Sequence, residues 1–129
     1  SKDNSTKVDY LPFSCIESQS ICQKEIGKGK VDIKFNVAVI KPESEVTLKL
    51  VTQLNKPVKK ISGFIEGKSM YMGKIPLIFD SASTEKAVEA QFMLGSCSDP
   101  NMTWRTWIEI KFEDDSKFNF FFDFASNNT

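Results

Sequence analysis

The side chains of this sequence best equipped for chemistry are four sulfur donors and an indole. Met70 and Met72 fall in the run Met70-Tyr71-Met72-Gly73, while Cys97, Met102 and Trp104 fall in Cys97-Ser98-Asp99-Pro100-Asn101-Met102-Thr103-Trp104. Thioethers and thiolates are the soft donors that select Cu(I). Histidine, the usual general base at neutral pH and the commonest metal ligand, does not occur in the 129 residues. The chemistry expected is therefore Cu(I) binding by Met70, Met72, Met102 and Cys97, with the metal lying against the face of Trp104 by cation–π attraction. Gly73 and the turn Ser98-Asp99-Pro100 let the backbone come close to such a site. The competing reading makes the same residues packing groups, methionine filling gaps and tryptophan anchoring a core.

Hydrolytic or acid–base catalysis finds little support. A serine nucleophile would need a base other than histidine, and the sequence offers no Gly-x-Ser-x-Gly elbow and no convincing Ser-x-x-Lys context. The carboxylate pairs Glu43/Glu45 and Asp114/Asp115 sit beside a proline and in a hairpin turn, where they read as solvated. Gly27-x-Gly29 is a turn and not a phosphate loop, since no Gly-Lys-Ser/Thr or helix start follows it. An enzyme is not expected. Lys and Arg number 17 and Asp and Glu number 17, so no net field draws the chain to nucleic acid or anionic lipid. Lys56, Lys59 and Lys60 form one small basic cluster, which reads first as a solvated face.

The elements that must position these residues follow from a period of two that runs almost unbroken from residue 30. Val31, Ile33, Phe35 and Val37 alternate with polar residues until Lys41-Pro42-Glu43-Ser44. Val46, Leu48 and Leu50 do the same until Asn55-Lys56-Pro57, and a third, less regular strand covers about 58–66. Residues 68–79 are expected to be extended, which would turn Met70 and Met72 to one face and Tyr71 to the other. Val88 to Leu94 gives a fifth strand. Met102, Trp104, Thr106, Ile108, Ile110 and Phe112 form the apolar face of the longest alternation, with Arg105 and Trp107 on its reverse. Phe118, Phe120, Phe122 and Phe124 supply an all-phenylalanine face to a closing strand. These seven strands, without a helical period of more than two turns, predict an all-β fold, an immunoglobulin-like two-sheet antiparallel sandwich. A partly closed barrel is the alternative.

The size suits one domain with a real core, placed at residues 10–129 behind a flexible tether at 1–9. The polar start Ser1 to Lys7 reads either as the stub left after a signal peptide or anchor or as a trimmed terminus, and membrane contact is expected only through such an anchor. Three cysteines leave three pairings open. Cys15 with Cys22 would close a small ring, whereas Cys97 with either would staple the N-terminal segment and remove one soft donor.

Taken in order, Cys15-x6-Cys22, the Gly-x-x-Met-x-Met-Gly run from Gly67 to Gly73, and the Leu-x-x-Cys-x4-Met-x-Trp run from Leu94 to Trp104, followed by a Phe-rich strand, resemble a largely uncharacterised family of small exported bacterial proteins. That resemblance covers about residues 13–124. It implies a periplasmic or membrane-tethered, lipoprotein-like setting and a link to copper and respiratory-oxidase assembly; release of Cu(I) by ligand exchange would call for a copper-accepting envelope protein as partner. Met70-x-Met72 with a tryptophan is also similar to the soft site of periplasmic Cu(I) metallochaperones of the cation-efflux type. Those add a histidine, and here Cys97 is its only evident substitute. The reading from a different class is an immunoglobulin-like interaction or structural module of the envelope that holds no metal.

Overall fold

The computed structural model describes the backbone of residues 11–14 and 21–26 and the whole of residues 29–80 and 87–127. Among these the strands are β1 (Leu11–Ser14), β2 (Ile21–Ile26), β3 (Gly29–Phe35), β4 (Glu45–Leu54), β5 (Val58–Gly67), β6 (Lys74–Leu77), β7 (Ala87–Met93), β8 (Asn101–Phe112) and β9 (Lys117–Asn127). They form two sheets, ordered β1-β9-β8-β5-β6 and β2-β3-β4-β7. The expected two-sheet all-β sandwich is the fold found. The seven strands read from the alternation correspond to β3 through β9. To these are added β2, antiparallel to β3, and β1, which runs parallel to β9. The expected tether at 1–9, all of Cys15 and the side chain of Cys22 lie outside the described residues.

Burial follows the alternation closely. β4 buries Val46, Leu48, Leu50 and Thr52, and β8 buries Met102, Trp104, Thr106, Ile108, Ile110 and Phe112. Such a pattern holds the register fixed, because a slip of one residue would turn every apolar side chain of a strand into water. The sheets meet through aromatic rings. Phe35 of β3 lies 6.1 Å from Phe92 of β7, 6.1 Å from Phe122 and 5.1 Å from Phe124 of β9, in tilted or edge-on geometry. The phenylalanine face expected of the last strand is thus the inner wall of the larger sheet, with Phe120, Phe122 and Phe124 fully buried.

The outer face of that sheet carries two rows at right angles to the strands. Register aligns Phe64, Trp107 and Phe121 on β5, β8 and β9, with centroids 6.3 and 5.1 Å apart. One step along, Lys74, Glu66, Arg105 and Asp123 align with alternating charge. The Arg105 guanidinium donates to both Asp123 oxygens at 2.8 and 3.0 Å and lies 4.1 Å above the centre of the Phe121 ring. Lys68 donates to Asp123 Oδ2 at 2.9 Å. Burial of the Asp123 carboxylate disfavours its charge, but the hydrogen bonds from Arg105 and Lys68 outweigh that and hold its pKa below the ordinary carboxylate value.

Two expectations follow. A carboxylate whose pKa is lower folded than unfolded stabilises the fold above the unfolded value, about 3.9 for aspartate, and that contribution is lost as pH falls through the folded value. The stability gap between wild type and Asp123→Asn, measured by urea unfolding, should therefore hold steady above about pH 5 and shrink as pH falls below about 4. Thr106 Oγ1 is buried in the core without a hydrogen-bond partner among the described residues. Thr106→Val keeps its shape and removes the unsatisfied group, so it should raise unfolding free energy by about 1 kcal/mol.

Candidate functional site

The soft side chains sit where β5 hands over to β6 and β7 to β8, at the sandwich end where β8 begins. Gly67 closes β5 opposite Trp104. The chain then holds on to β8 briefly, the N–H groups of Lys68 and Ser69 donating to the Thr103 carbonyl at 2.8 and 3.3 Å. A Cβ on Gly67 would collide with the Met70 carbonyl and stand 3.3 Å from the Met102 methyl. Only glycine allows loop and strand to approach so closely. Gly73, with φ of +79°, turns the chain back into β6. Both glycines of the Gly-x-x-Met-x-Met-Gly run thus have a backbone reason.

That geometry corrects the expectation of an extended segment over 68–79. Only Lys74–Leu77 is strand, and Met70-Tyr71-Met72 is a loop bracketed by the two glycines. Alternation therefore does not set both sulfurs on one face there. Met70 is 43% exposed and Tyr71 75%, whereas Met72 turns inward, packs against the core and comes close to Gly95, its methyl 3.7 Å from where a Gly95 Cβ would lie. The β7–β8 loop, 94–100, therefore borders the methionine loop.

On that second loop Cys97 is half-buried and free of any disulfide. Its thiol donates to the Asp99 carbonyl at 3.4 Å, and Asp99 Oδ1 accepts the Asn101 N–H at 2.9 Å, an Asx turn that starts β8. Met102, at the start of β8, is 3% exposed, its sulfur accepting the Ser69 hydroxyl at 3.4 Å. Ser69 Oγ also accepts the Thr103 N–H at 3.2 Å. Trp104 lies one layer deeper, wholly buried, its indole N–H donating to Ser126 Oγ at 2.9 Å. Arg105 and Trp107 face the opposite side of β8, as the alternation requires, and Trp107 donates to Glu66 Oε2 at 2.6 Å.

The fold therefore brings Met70, Met72, Cys97 and Met102 to one end of the molecule in graded exposure, and sets Trp104 beneath them as part of the core. Two contributors went unrecognised in the sequence. Ser69 ties the methionine loop to Met102, and Lys68 ties its root to Asp123. Neither carries a periodic signal, because both act across strands. Among the described residues no three His, Cys, Asp or Glu side chains converge as a metal site would require. A metal here would rest on thioethers and one thiol.

No family model and no curated protein matches the sequence. Solved structures share the fold. A DUF4785 family protein from Legionella pneumophila aligns with 77% of this chain at TM-score 0.58 and 10% identity, the chain spanning 28% of that protein. A DUF4426 family protein from Pseudomonas aeruginosa aligns with 83% of this chain and 97% of its own length, at TM-score 0.55 and 17% identity.

The graded exposure sets an order of oxidation. In dilute peroxide Met70 and Met93, the latter 52% exposed, should become sulfoxides first, Met72 later, and Met102 only on unfolding, as read by peptide mass spectrometry over time.

Proposed function

We propose that this protein binds one Cu(I) at the loop end of the sandwich, through Met70, Met72, Cys97 and Met102. The observation that carries the reading is that both loops bearing the soft donors border the start of β8, the methionine loop through the Thr103 carbonyl and the Met102 sulfur and the Cys97 loop through the Asp99–Asn101 turn. Cu(I) accepts low coordination numbers with soft donors, so an exposed thioether and a buried one are both usable. Met70 would arrive from solvent, Met72 and Cys97 from the rim, and Met102 would exchange its Ser69 contact for the metal. Trp104 would serve from below, its ring fixed by Ser126, as an apolar wall that keeps water away.

Function on this reading is ligand exchange rather than turnover. An undercoordinated site with an exposed Met70 takes up the ion and passes it to a partner offering a further thiolate. The proposed setting is the cell envelope, the proposed partner a copper-accepting protein there. The burial of Met102 and the indole–Ser126 bond also favour the rival reading, an envelope interaction module in which both residues only pack.

An anaerobic titration of reduced protein with Cu(I) against a chromogenic chelator separates the two. One equivalent should bind, and Met70→Leu/Met72→Leu should weaken it by about a hundredfold, ~2.7 kcal/mol, with unfolding unchanged. Binding equal in wild type and variant, or none in competition with the chelator, would leave the packing reading standing.

A further inference from the structure

The far end of the sandwich, where β8 finishes at Phe112, is built differently. There β5 begins with a register slip between Val58 and Lys60, β6 ends at Leu77 after four residues, and β4 and β7 reach Leu54 and Ala87. The two sheets leave between them a cleft of about 670 Å³, inside the roughly 300–1,000 Å³ typical of small-molecule sites.

Its inner wall is unfinished core. Leu54, Val58, Ile61, Phe79 and Val88 line the cleft and pack against the buried cluster while remaining only partly covered. Ile78, 75% exposed, stands on its rim. Removing such surface from water is favourable at roughly 25 cal/mol per Å², so an apolar occupant gains by completing the core.

The lip is cationic. From Val46 to Ile65 the chain has no acidic residue and carries Lys49, Lys56, Lys59 and Lys60, the last three lining the cleft. Lys56 donates to Asp114 Oδ2 at 2.8 Å and Lys59 to Asp115 Oδ1 at 3.3 Å, while Lys60 is exposed beside them. The exposed Lys59 pair is weak, Lys56 is held also by Ser116 Oγ at 2.7 Å, and Lys60 offers an exposed ammonium to an arriving anion.

We propose that this cleft binds a single acyl chain bearing an anionic head, the tail against the Leu54–Val88 wall and the head at Lys60. An acyl tail needs no hydrogen bonds, whereas a peptide brought between these walls would bury backbone N–H and C=O groups against hydrocarbon, at a cost of kilocalories for each left unpaired. The site is remote from the methionine loop and independent of copper.

The test uses the full chain, with palmitate below its micelle concentration and phosphatidylglycerol vesicles as the two sources of such a chain. Calorimetry should show saturable one-to-one binding of palmitate, and methyl NMR should show shifts at Leu54, Val58, Ile61 and Val88 but not at the buried Val46 or Ile40. Lys60→Gln should weaken palmitate by about tenfold, the scale of one charge-assisted contact, and leave hexadecanol unchanged. Val88→Trp should abolish binding by filling the cleft, and the wild-type methyl shifts decide the matter if that variant does not fold. Saturable binding to vesicles alone, with the same methyl shifts, supports the site and makes membrane lipid its source. No methyl shifts with either probe, or vesicle binding that survives a folded Val88→Trp, overturns the proposal.

Discussion

Everything in this molecule is hung on β8. It lies between β5 and β9, and its strict alternation divides the larger sheet into a dry face and a wet one. Trp104, Ile108, Ile110 and Phe112 hold the core on one side, while Arg105 and Trp107 anchor the charged and aromatic rows on the other. The same strand fixes both ends of the sandwich. At its start, Met102 and the Thr103 carbonyl hold the methionine loop, and the Asn101 N–H donates to Asp99 of the loop that carries Cys97. At its finish, Phe112 is the last full layer of core before the cleft. A register error in this one strand would expose the core and dissolve both sites together.

The aromatic packing between the sheets gives that strand something to press against. Phe35 and Phe92 reach across to Phe122 and Phe124, and rings in tilted contact contribute beyond their buried area. The outer rows do a different task. Cross-strand neighbours of opposite charge, and rings stacked under guanidinium or ammonium groups, favour one strand pairing over its alternatives more than they add stability. Asp123 links the outer charged row to the methionine loop, since its two cations come from β8 and from the root of that loop.

The sandwich was legible in the sequence because a period of two survives wherever one face of a strand is wet. Val31 to Phe35, Val46 to Leu50, Met102 to Phe112 and Phe118 to Phe124 all show it, and all are strands. The methionine segment misled for an instructive reason. Met70 and Met72 imitate the alternation, but Gly67 and Gly73 interrupt it, and a glycine admitting a close approach or a positive φ outweighs two apolar residues in register. β1 and β2 are short, and a strand added beside a finished sheet needs little periodicity of its own. The candidate metal residues were legible by type, whereas their grading from exposed Met70 to buried Met102 depends on loop paths that no local pattern encodes. Lys56, Lys59 and Lys60 were visible as a cluster, but the apolar wall behind them is assembled from four separate stretches of chain.

The placement of the two tryptophans, three residues apart on opposite faces of β8, has an optical consequence. Trp104 sits in hydrocarbon with its N–H on a neutral hydroxyl, and Trp107 lies between phenylalanine rings with its N–H on a carboxylate and a guanidinium near its face. One emits from a dry site and the other from a charged, half-wet one. The native spectrum is therefore a sum of two unequal chromophores, the bluer reporting on the interior beneath the methionine loop and the redder on the outer sheet. A single strand thus gives the molecule two indoles in unlike surroundings.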